Sequence, residues 1–217
     1  MSASPVAIGE TIAGKYRVER VLGQGGMGVV VVAMHDELDQ RVAIKFLLPD
    51  AVRDAEWVAR FSREAKAAAR IRSEHAVKVY DVGKLETGAP YMVMEYLEGR
   101  DLQSLLEERR MLPVGEAVEY VLQACEALAE AHLAGVVHRD LKPANLFVTH
   151  RVDGSSCVKI LDFGISKLTS LTTGAGSREQ TVTNTTAIVG SPLYMSPEQM
   201  RASKNVDART DIWSLGV

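Results

Sequence analysis

A short stretch of the chain, residues 136–148, encloses a run of polar side chains between two apolar pairs. The reactive members of this run are His138, Arg139, Asp140, Lys142 and Asn145. Burial of charged groups is unfavourable by several kcal/mol per charge unless partners satisfy them. A charge-rich surface turn is the simplest alternative, but it leaves the convergence of so many different functional groups unexplained. The composition of the run instead indicates a binding site that a ligand completes.

Phosphoryl transfer is the chemistry that suits this set of side chains best. Asp140 can accept a proton from a hydroxyl group, while Lys142 can neutralise an anionic group during transfer. Asp162, in the sequence LDFG, adds a second carboxylate after a short hairpin. The Asn145 amide and the Asp162 carboxylate offer hard oxygen ligands suited to Mg²⁺, which proteins usually hold together with substrate phosphates.

A glycine-rich segment near the start of the chain, residues 22–30, is a second candidate for phosphate binding. Gly23, Gly25 and Gly28 form a G-x-G-x-x-G pattern, which alone is equally typical of a simple hairpin turn. The dinucleotide-binding form of this pattern opens a helix, whereas a β-branched strand follows the glycines here. A strand–turn–strand without side chains at its turn can instead cover phosphates with backbone N–H groups.

A lysine on an apolar strand and a glutamate on an apolar helix face form a third candidate group. Lys45 stands in the sequence VAIK, where an outward-facing side chain of an alternating strand is the simplest interpretation. Glu64 falls within the apolar arc of a predicted helix, where a lone carboxylate is unfavourable. We therefore predict that the two side chains pair, which leaves Lys45 positioned to hold an anionic ligand.

The strands predicted in the first part of the chain, which must position several of these residues, form a small antiparallel sheet. Residues 16–48 are rich in β-branched side chains and predict three strands, and residues 76–85 and 90–97 predict two more. Between them, residues 55–71 switch to a helical period. Residues 1–15 show no such pattern and predict a loose N-terminal arm.

The second part of the chain is mostly helical. Residues 101–110 and 114–134 have helical patterns, and the longer helix carries an apolar stripe. The members of that stripe are Ala117, Val121, Ala124, Leu128 and Ala131. Two short strands, NLFV and CVKIL, then flank a turn at Asp153 and Gly154. The sequence thus predicts an α+β fold, with a five-stranded antiparallel sheet and one helix followed by a helical part.

Composition excludes several functional classes. The 217 residues are 47% apolar and 24% charged, which is typical of a globular protein rather than a disordered one. A net charge of −3 disfavours nucleic acid as a partner. No apolar run approaches the ~18 residues of a membrane span. Two distant cysteines, no CxxC motif and no signal peptide predict a reducing, cytoplasmic location.

Taken together, the motifs resemble those of the eukaryotic-type Ser/Thr protein kinase family, and most closely its bacterial branch, for which GGMG and YMSPEQM are typical. In family order they are the glycine-rich segment, VAIK at Lys45, Glu64, HRDLKPAN, DFG at Asp162 and SPE at Glu198. The resemblance runs from about Tyr16 to the last residue. It implies a bilobal fold, with an N-lobe at 16–97 and a mostly helical C-lobe at 98–217.

The resemblance implies an ATP site in the cleft between the lobes. Its nucleotide-contacting residues would be Leu22, Gly23, Gln24, Gly25, Gly26, Met27, Gly28, Val30, Ala43, Lys45, Met94, Glu95 and Leu97. In this set, Lys45 would bind the α and β phosphates and pair with Glu64. Met94 would be the gatekeeper, and the backbone of the hinge at 95–97 would bond the adenine edge.

The resemblance also assigns the chemistry. Asp140 would be the catalytic base that orients the incoming hydroxyl group, and Lys142 would contact the γ phosphate. Asn145 and Asp162 would hold Mg²⁺, with Mn²⁺ as an alternative ion. The sequence DLKPAN is typical of kinases that act on Ser and Thr, so the expected partners are ATP and protein Ser/Thr substrates.

Control by phosphorylation is a further implication. Arg139 directly precedes Asp140, an arrangement that in the family accompanies activation by a phosphate on the activation loop. Thr183, Thr185 and Thr186 match the autophosphorylated threonines of bacterial relatives. Autophosphorylation in trans would bring two copies of the chain together as a homodimer.

Several features depart from the family pattern. Ser191 replaces a usual threonine, and the segments at 149–157 and 172–180 are longer than usual. The chain stops at Val217, inside the helix in which Asp211 would bond the backbone near His138. We therefore expect a C-lobe truncated within its central helix. An inactive kinase-domain fragment that serves as a nucleotide-binding or interaction module remains an alternative, as does, less favourably, a small-molecule phosphotransferase of kinase-like fold.

Overall fold

Six strands form one antiparallel sheet in the first part of the chain. The computed structural model describes residues 5–25, 28–163, 192–201 and 206–217. The strands are β1 (Thr11–Ile12), β2 (Tyr16–Gln24), β3 (Gly28–His35), β4 (Gln40–Leu47), β5 (Val79–Lys84) and β6 (Pro90–Glu95). Their spatial order is β1-β2-β3-β4-β6-β5, with antiparallel pairing throughout. The predicted antiparallel sheet is confirmed, with one strand more than the five that the sequence predicted.

The additional strand belongs to the segment predicted as a loose arm. Strand β1 pairs Ile12 with Tyr16, and the Val18 N–H donates to the Glu10 carbonyl at 2.9 Å. Val6 and Ile12 are buried in the core of the sheet. From residue 5 onward, the prediction of a loose arm was therefore wrong. A two-residue strand is too short to show the alternation by which strands are recognised in a sequence.

One long helix packs on the sheet. Helix α1 (Pro49–Val52) is a single turn, and helix α2 (Ala55–Ala68) follows it after the N-cap residue Asp54, whose carboxylate accepts the Glu56 N–H. Phe61 and Ala65 are buried against Met92 and Met94 of β6. Helix α2 ends three residues before the predicted end at residue 71.

The second part of the chain is mainly helical around a small sheet. Its elements are β7 (Arg100–Asp101), α3 (Leu102–Arg109), α4 (Val114–Leu133), a 3₁₀ helix (Pro143–Asn145), β8 (Leu146–His150), β9 (Ser156–Ile160), a second 3₁₀ helix (Pro192–Tyr194), α5 (Pro197–Arg201) and α6 (Arg209–Leu215). Strands β7, β8 and β9 pair antiparallel in that order. Within the described ranges, none of the helices is long and apolar enough to cross a membrane.

Helix α4 supplies the core of this second part. Ala124, Leu128 and Ala131 are buried as predicted. The small alanine side chains let the helix approach its neighbours closely. Val121, however, is 40% exposed, so the predicted stripe was wrong at this position. The helix instead turns Gln123 inward, where its Oε1 accepts the Val158 N–H of β9 at 2.7 Å. A buried amide is tolerated there because it pairs with a strand backbone.

Strand β9 also joins the two parts of the chain. The Ile160 N–H donates to the His75 carbonyl at 2.8 Å, and the Val77 N–H donates to the Ile160 carbonyl at 3.1 Å. Ala76 and Ile160 thereby form an isolated parallel bridge. The end of β9, which leads directly to Asp162, is thus fixed against the first part of the chain.

Candidate active site

A cleft of about 580 Å³ lies where the six-stranded sheet meets the second part of the chain. Its volume falls within the range of about 300–1,000 Å³ that is usual for small-molecule sites. Six of the residues that the sequence predicted to contact a nucleotide line it: Leu22, Val30, Ala43, Met94, Glu95 and Leu97. Strands β2, β3, β4 and β6 thus bring together side chains that lie up to 75 residues apart in the sequence.

Three further apolar residues in the cleft were not predicted. Val77 precedes β5, Phe147 lies on β8, and Leu161 follows β9. Leu161 directly precedes Asp162, and Phe147 follows Asn145 by two residues, so their proximity to motif residues could have identified them. Together with the apolar members of the predicted set, they give the cleft apolar walls on two sides, which suits a flat, largely apolar ring system.

The glycine-rich turn between β2 and β3 combines one required glycine with open backbone. A Cβ atom on Gly28 would lie 2.7 Å from the Phe46 carbonyl oxygen, so a side chain there would displace the strand pairing. A Cβ atom on Gly23 or Gly25 would meet no atom of the described residues within 4 Å, and the Gly25 N–H donates to the Gly28 carbonyl at 2.9 Å. Gln24 pairs with Val29 at the end of β2. Gly26 and Met27 lie outside the described residues.

Lys45 of β4 forms an ion pair with Asp162, which lines the cleft. Its side chain is 12% exposed, and its Nζ lies 2.6 Å from Asp162 Oδ1, while the Asp162 side chain is 43% exposed. Asp162 has a φ of 56°, in the left-handed region that non-glycine residues rarely adopt. Such backbone is typical of functional sites. The side chain of Glu64, on α2, lies outside the described residues, so its pairing with Lys45 stays a prediction.

The three candidate residues of the catalytic segment contact one another. Lys142 Nζ lies 3.0 Å from Asp140 Oδ2, and Asn145 Nδ2 donates to the Asp140 carbonyl at 2.6 Å. The 3₁₀ helix Pro143–Asn145 curls the chain so that Asn145 faces back toward Asp140. The Asn145 carbonyl in turn accepts the Leu161 N–H at 2.9 Å, which ties this segment to the residue that precedes Asp162.

A buried carboxylate holds the segment from below. Asp211 of α6 is fully buried and accepts the backbone N–H groups of His138 and Arg139, each at 2.8 Å, as the sequence led us to expect. His132 Nε2 lies 2.8 Å from the same carboxylate. The His138 ring approaches the Leu161 carbonyl at 2.8 Å and packs edge-on against Phe163. The polar run between apolar pairs is therefore largely satisfied by the protein itself.

Arg139 has an orphaned polar atom. Its Nε is buried, and within the described part of the chain no hydrogen-bond partner is present for it. Unpaired buried donors are rare and require an explanation. The sequence predicted a phosphate as the partner of this side chain. The candidate phosphorylation sites Thr183, Thr185 and Thr186, however, lie outside the described residues.

The donor set fits a magnesium nucleotide. Asn145 and Asp162 offer side-chain oxygens of the kind that hold Mg²⁺, and Lys45 offers a cation suited to phosphates. Across the described ranges, no group of three or more His, Cys, Asp or Glu side chains could hold a metal unaided. A cation at Asn145 and Asp162 would therefore need further oxygens, as Mg²⁺ normally takes from substrate phosphates and water.

Comparison with known proteins agrees with this geometry. Residues 16–217 match the family model described as protein kinase domain. Similar curated proteins include the Ser/Thr protein kinase Pkn3 of Myxococcus xanthus, 44% identical over 210 residues, and PknB of Mycobacterium leprae, 40% identical over 205 residues. The matches cover 97% and 93% of this chain, but 38% and 31% of those proteins. The chain thus spans about a third of the length of these relatives.

A solved structure shows the same architecture. The crystal structure of the Mycobacterium tuberculosis PknI kinase domain superposes on this chain with a TM-score of 0.73 at 33% sequence identity. The superposition covers 97% of this chain and 74% of the PknI chain. The predicted resemblance and the predicted bilobal fold are both confirmed. On its sequence match and its architecture, the chain belongs to the protein kinase family.

Proposed function

We propose that the chain acts as an ATP-dependent protein Ser/Thr kinase, which transfers the γ-phosphoryl group of Mg·ATP to Ser and Thr hydroxyl groups. The observation that carries this proposal is the link between two groups of contacting side chains beside the cleft, where Asp162 lines the wall and the preceding Leu161 N–H donates to the Asn145 carbonyl. Lys45 pairs with Asp162, and Asp140 contacts both Lys142 and Asn145. Cation, general base and metal ligands are the components that phosphoryl transfer requires.

The nucleotide would occupy the apolar cleft. The adenine would lie between Leu22 and Val30 on one side and Phe147 and Leu161 on the other, which are all cleft-lining residues. The hinge at 95–97 borders the same space and offers backbone groups to the adenine edge. The glycine-rich turn, where Gly23 and Gly25 carry no side chain, would then cover the phosphates, because a backbone without side chains can approach them closely.

Mg²⁺ would be held by Asn145 and Asp162, with Mn²⁺ as an alternative, and it would neutralise charge on the phosphates. Lys45 forms an ion pair with Asp162 in the present structure. Its ammonium group would have to exchange this carboxylate for the α and β phosphates. The ion pair therefore keeps both side chains oriented at the site before a ligand arrives.

The transfer step itself would rest on Asp140 and Lys142. Asp140 would accept the proton of the substrate hydroxyl group while the oxygen of that hydroxyl group forms a bond to the γ phosphorus. The bond from that phosphorus to the β–γ bridging oxygen breaks, and ADP leaves with the electron pair. Lys142, already 3.0 Å from the Asp140 carboxylate, would neutralise the transferred group.

A second cavity next to the catalytic segment supports a protein substrate. It measures about 600 Å³ and is lined by residues of α3, by Pro143 and by the second 3₁₀ helix. Leu193 in its wall is 76% exposed. An open groove that adjoins the catalytic segment suits an extended peptide.

We further infer that Thr183, Thr185 or Thr186 is phosphorylated in trans within a homodimer. The phosphate would pair with Arg139. The reaction would take place in the cytoplasm, where ATP is abundant.

One observation favours a second candidate function. On helix α6, Ile212 and Trp213 are 55% and 47% exposed, which is unusual for large apolar side chains on one short helix. The chain could bind nucleotide without turnover and dock on another protein through this helix. Nucleotide binding in the absence of phosphate transfer would favour this alternative.

Autophosphorylation tests the proposal. We expect the purified 217-residue chain to gain phosphate when it is incubated with Mg·ATP, as read by intact mass. Lys45→Met should abolish the gain, because the ammonium group for the phosphates is lost. Asp140→Asn should slow it at least about 100-fold, because general-base catalysis typically contributes 10²–10⁴.

A parent chain that binds ADP but never gains phosphate would contradict the kinase proposal. Equal phosphate gain in the parent and in Asp140→Asn would show that a contaminating kinase is responsible. Phosphopeptide mapping of the parent would then test the three threonines, and sites found only elsewhere would contradict their assignment.

A further inference from the structure

A group of fully or largely buried polar side chains lies directly behind the catalytic segment. Its members are Ser196, Gln199, Thr210, Asp211 and Ser214, none of which is more than 9% exposed. Polar groups are buried only where they are hydrogen-bonded, since an unpaired one is costly. Asp211 holds the two N–H groups described above. Ser196, Gln199 and Thr210 are hydrogen-bonded to one another.

Gln199 of α5 links this group to the backbone of the catalytic segment. Its Nε2 donates to the Arg139 carbonyl, and its Oε1 accepts the Thr210 hydroxyl at 3.0 Å. The Thr210 hydroxyl also contacts the Ser196 hydroxyl at 2.6 Å, and Ser196 Oγ accepts the Gln199 N–H at 3.3 Å. A carbonyl oxygen can only accept, so the amide must present its NH₂ group to Arg139. The Thr210 hydroxyl fixes this orientation.

Arg139 is the residue at which a second restraint is needed. Its φ is 65°, a left-handed conformation that is strained for a residue with a Cβ. Strained backbone persists only where the surroundings over-determine it. The Arg139 N–H is held by Asp211 Oδ1, and the Arg139 carbonyl is held by Gln199. Both peptide groups that flank the strained residue are therefore restrained by buried side chains.

We propose that Gln199 is a positioning residue for phosphoryl transfer. Its amide holds the peptide between Arg139 and Asp140, keeps the left-handed turn in place, and so presents the Asp140 carboxylate to the substrate hydroxyl. This inference rests on the proposed function, in which Asp140 is the base. The simpler alternative is that Gln199 only stabilises α5, because buried polar side chains often satisfy nothing more than local structure.

Removal of the amide distinguishes the two roles. Gln199→Met keeps the length of the side chain but leaves the Arg139 carbonyl without its donor. We expect amide hydrogen exchange in residues 136–148 to rise at least about tenfold, while exchange in β3 and β4 stays unchanged. In the same variant, kcat should fall about tenfold or more, and the KM for ATP should stay within about twofold, because Gln199 does not line the cleft.

Two further variants complete the experiment. Met200→Gln is the matched control, since Met200 is the next residue of the same helix and is 56% exposed; it should change neither exchange nor kcat. Thr210→Val is isosteric and removes only the hydroxyl that orients the amide. It should raise exchange in 136–148 in the same direction but by less, and it keeps the inference testable if Gln199→Met fails to fold.

Unchanged exchange in 136–148 of a folded Gln199→Met would overturn the inference. So would an equal rise throughout the molecule, which would show a purely structural role, or a fall in kcat that is matched by Met200→Gln. A parent chain that transfers no phosphate would contradict the proposed function. In that case the exchange comparison would still decide whether Gln199 holds the turn at Arg139.

Discussion

At the level of single residues, the ion pair between Lys45 and Asp162 is the feature with the clearest chemical consequence. These two side chains are 117 residues apart in the sequence and meet at 2.6 Å. Each has a second role in the proposed mechanism, since Lys45 would bind phosphates and Asp162 would bind Mg²⁺. In that mechanism, a nucleotide without a metal would have to compete with Asp162 for the lysine, whereas Mg²⁺ would release the lysine by binding the carboxylate.

We accordingly predict opposite effects of Asp162→Asn on two binding constants. ADP in EDTA should bind at least as tightly as to the parent chain, because Lys45 is free of its carboxylate partner. The gain in affinity that we expect Mg²⁺ to bring to the parent, roughly tenfold or about 1.4 kcal/mol, should shrink, because a charged carboxylate ligand is replaced by a neutral amide. Calorimetric titration with and without Mg²⁺ measures both constants. Retention of the full Mg²⁺ effect in Asp162→Asn would contradict the assignment of this residue.

At the level of elements, strand β9 connects the second part of the chain to the hinge side of the cleft. Lys159 of β9 donates to the Glu74 carbonyl and pairs with the Glu95 carboxylate, both at 2.9 Å. The same Glu95 oxygen accepts the Lys78 N–H at 2.7 Å. The side chains of Lys159 and Glu95 are 10% and 14% exposed. A buried pair of this kind is sensitive to the loss of one partner, which leaves an uncompensated charge.

Lys159→Met should therefore destabilise the chain by about 3–5 kcal/mol, as removal of one buried partner usually does. The double variant Lys159→Met with Glu95→Met removes both charges. It should be less destabilised than the sum of the two single variants by about 1–3 kcal/mol, the usual coupling of contacting residues. Urea unfolding gives the four free energies that this comparison needs.

Arg151→Met is the matched control for this cycle. Arg151 also links the second part of the chain to Glu74, at 3.1 Å, but both side chains are at least one third exposed. Hydrogen bonding to Arg151 lowers the pKa of Glu74, yet a solvent-exposed pair contributes little to stability, because water screens the charges. Strict additivity of the Lys159 and Glu95 variants, or a larger effect at Arg151, would argue against a buried tether.

At the level of the whole molecule, the cleft lies between two separate cores. The first comprises two clusters of buried side chains, one of the six-stranded sheet and one between that sheet and α2, and the second surrounds α4. A ligand in the cleft contacts residues of both, from Leu22 on β2 to Phe147 on β8. Nucleotide binding should therefore stabilise the two cores together, since a ligand that binds only the folded state opposes unfolding by mass action.

We expect Mg·ADP at 100 times its dissociation constant to stabilise the chain by about 2.7 kcal/mol. For a chain of this length, that corresponds to a rise in Tm of about 5–10 °C in a single transition. Asp140→Asn should show the same rise, because Asp140 would act in transfer and not in nucleotide binding. Thermal unfolding with Mg²⁺ alone is the control, and an equal rise without ADP would show that the metal binds elsewhere.

Local patterns in the sequence were sufficient for the fold class, the family and most of the cleft. Alternation predicted the strands because sheet faces differ in burial, and the motifs predicted Lys45, Asp140, Asn145 and Asp162 because each chemical role needs one residue type. The prediction was wrong for residues 5–15, where pairing is too short to leave a pattern. It was also wrong at Val121 of α4, where a helical stripe alone did not identify the buried side.

The remaining features depend on contacts between distant segments. The Lys45–Asp162 ion pair, the Lys159–Glu95 tether and the Gln199–Arg139 hydrogen bond join residues that are 117, 64 and 60 positions apart. A local sequence pattern cannot predict such pairs, because they are created by strand register and by the packing of one part of the chain on the other. Residue types thus revealed which chemistry is available, whereas the folded arrangement established which groups meet and which backbone is held under strain.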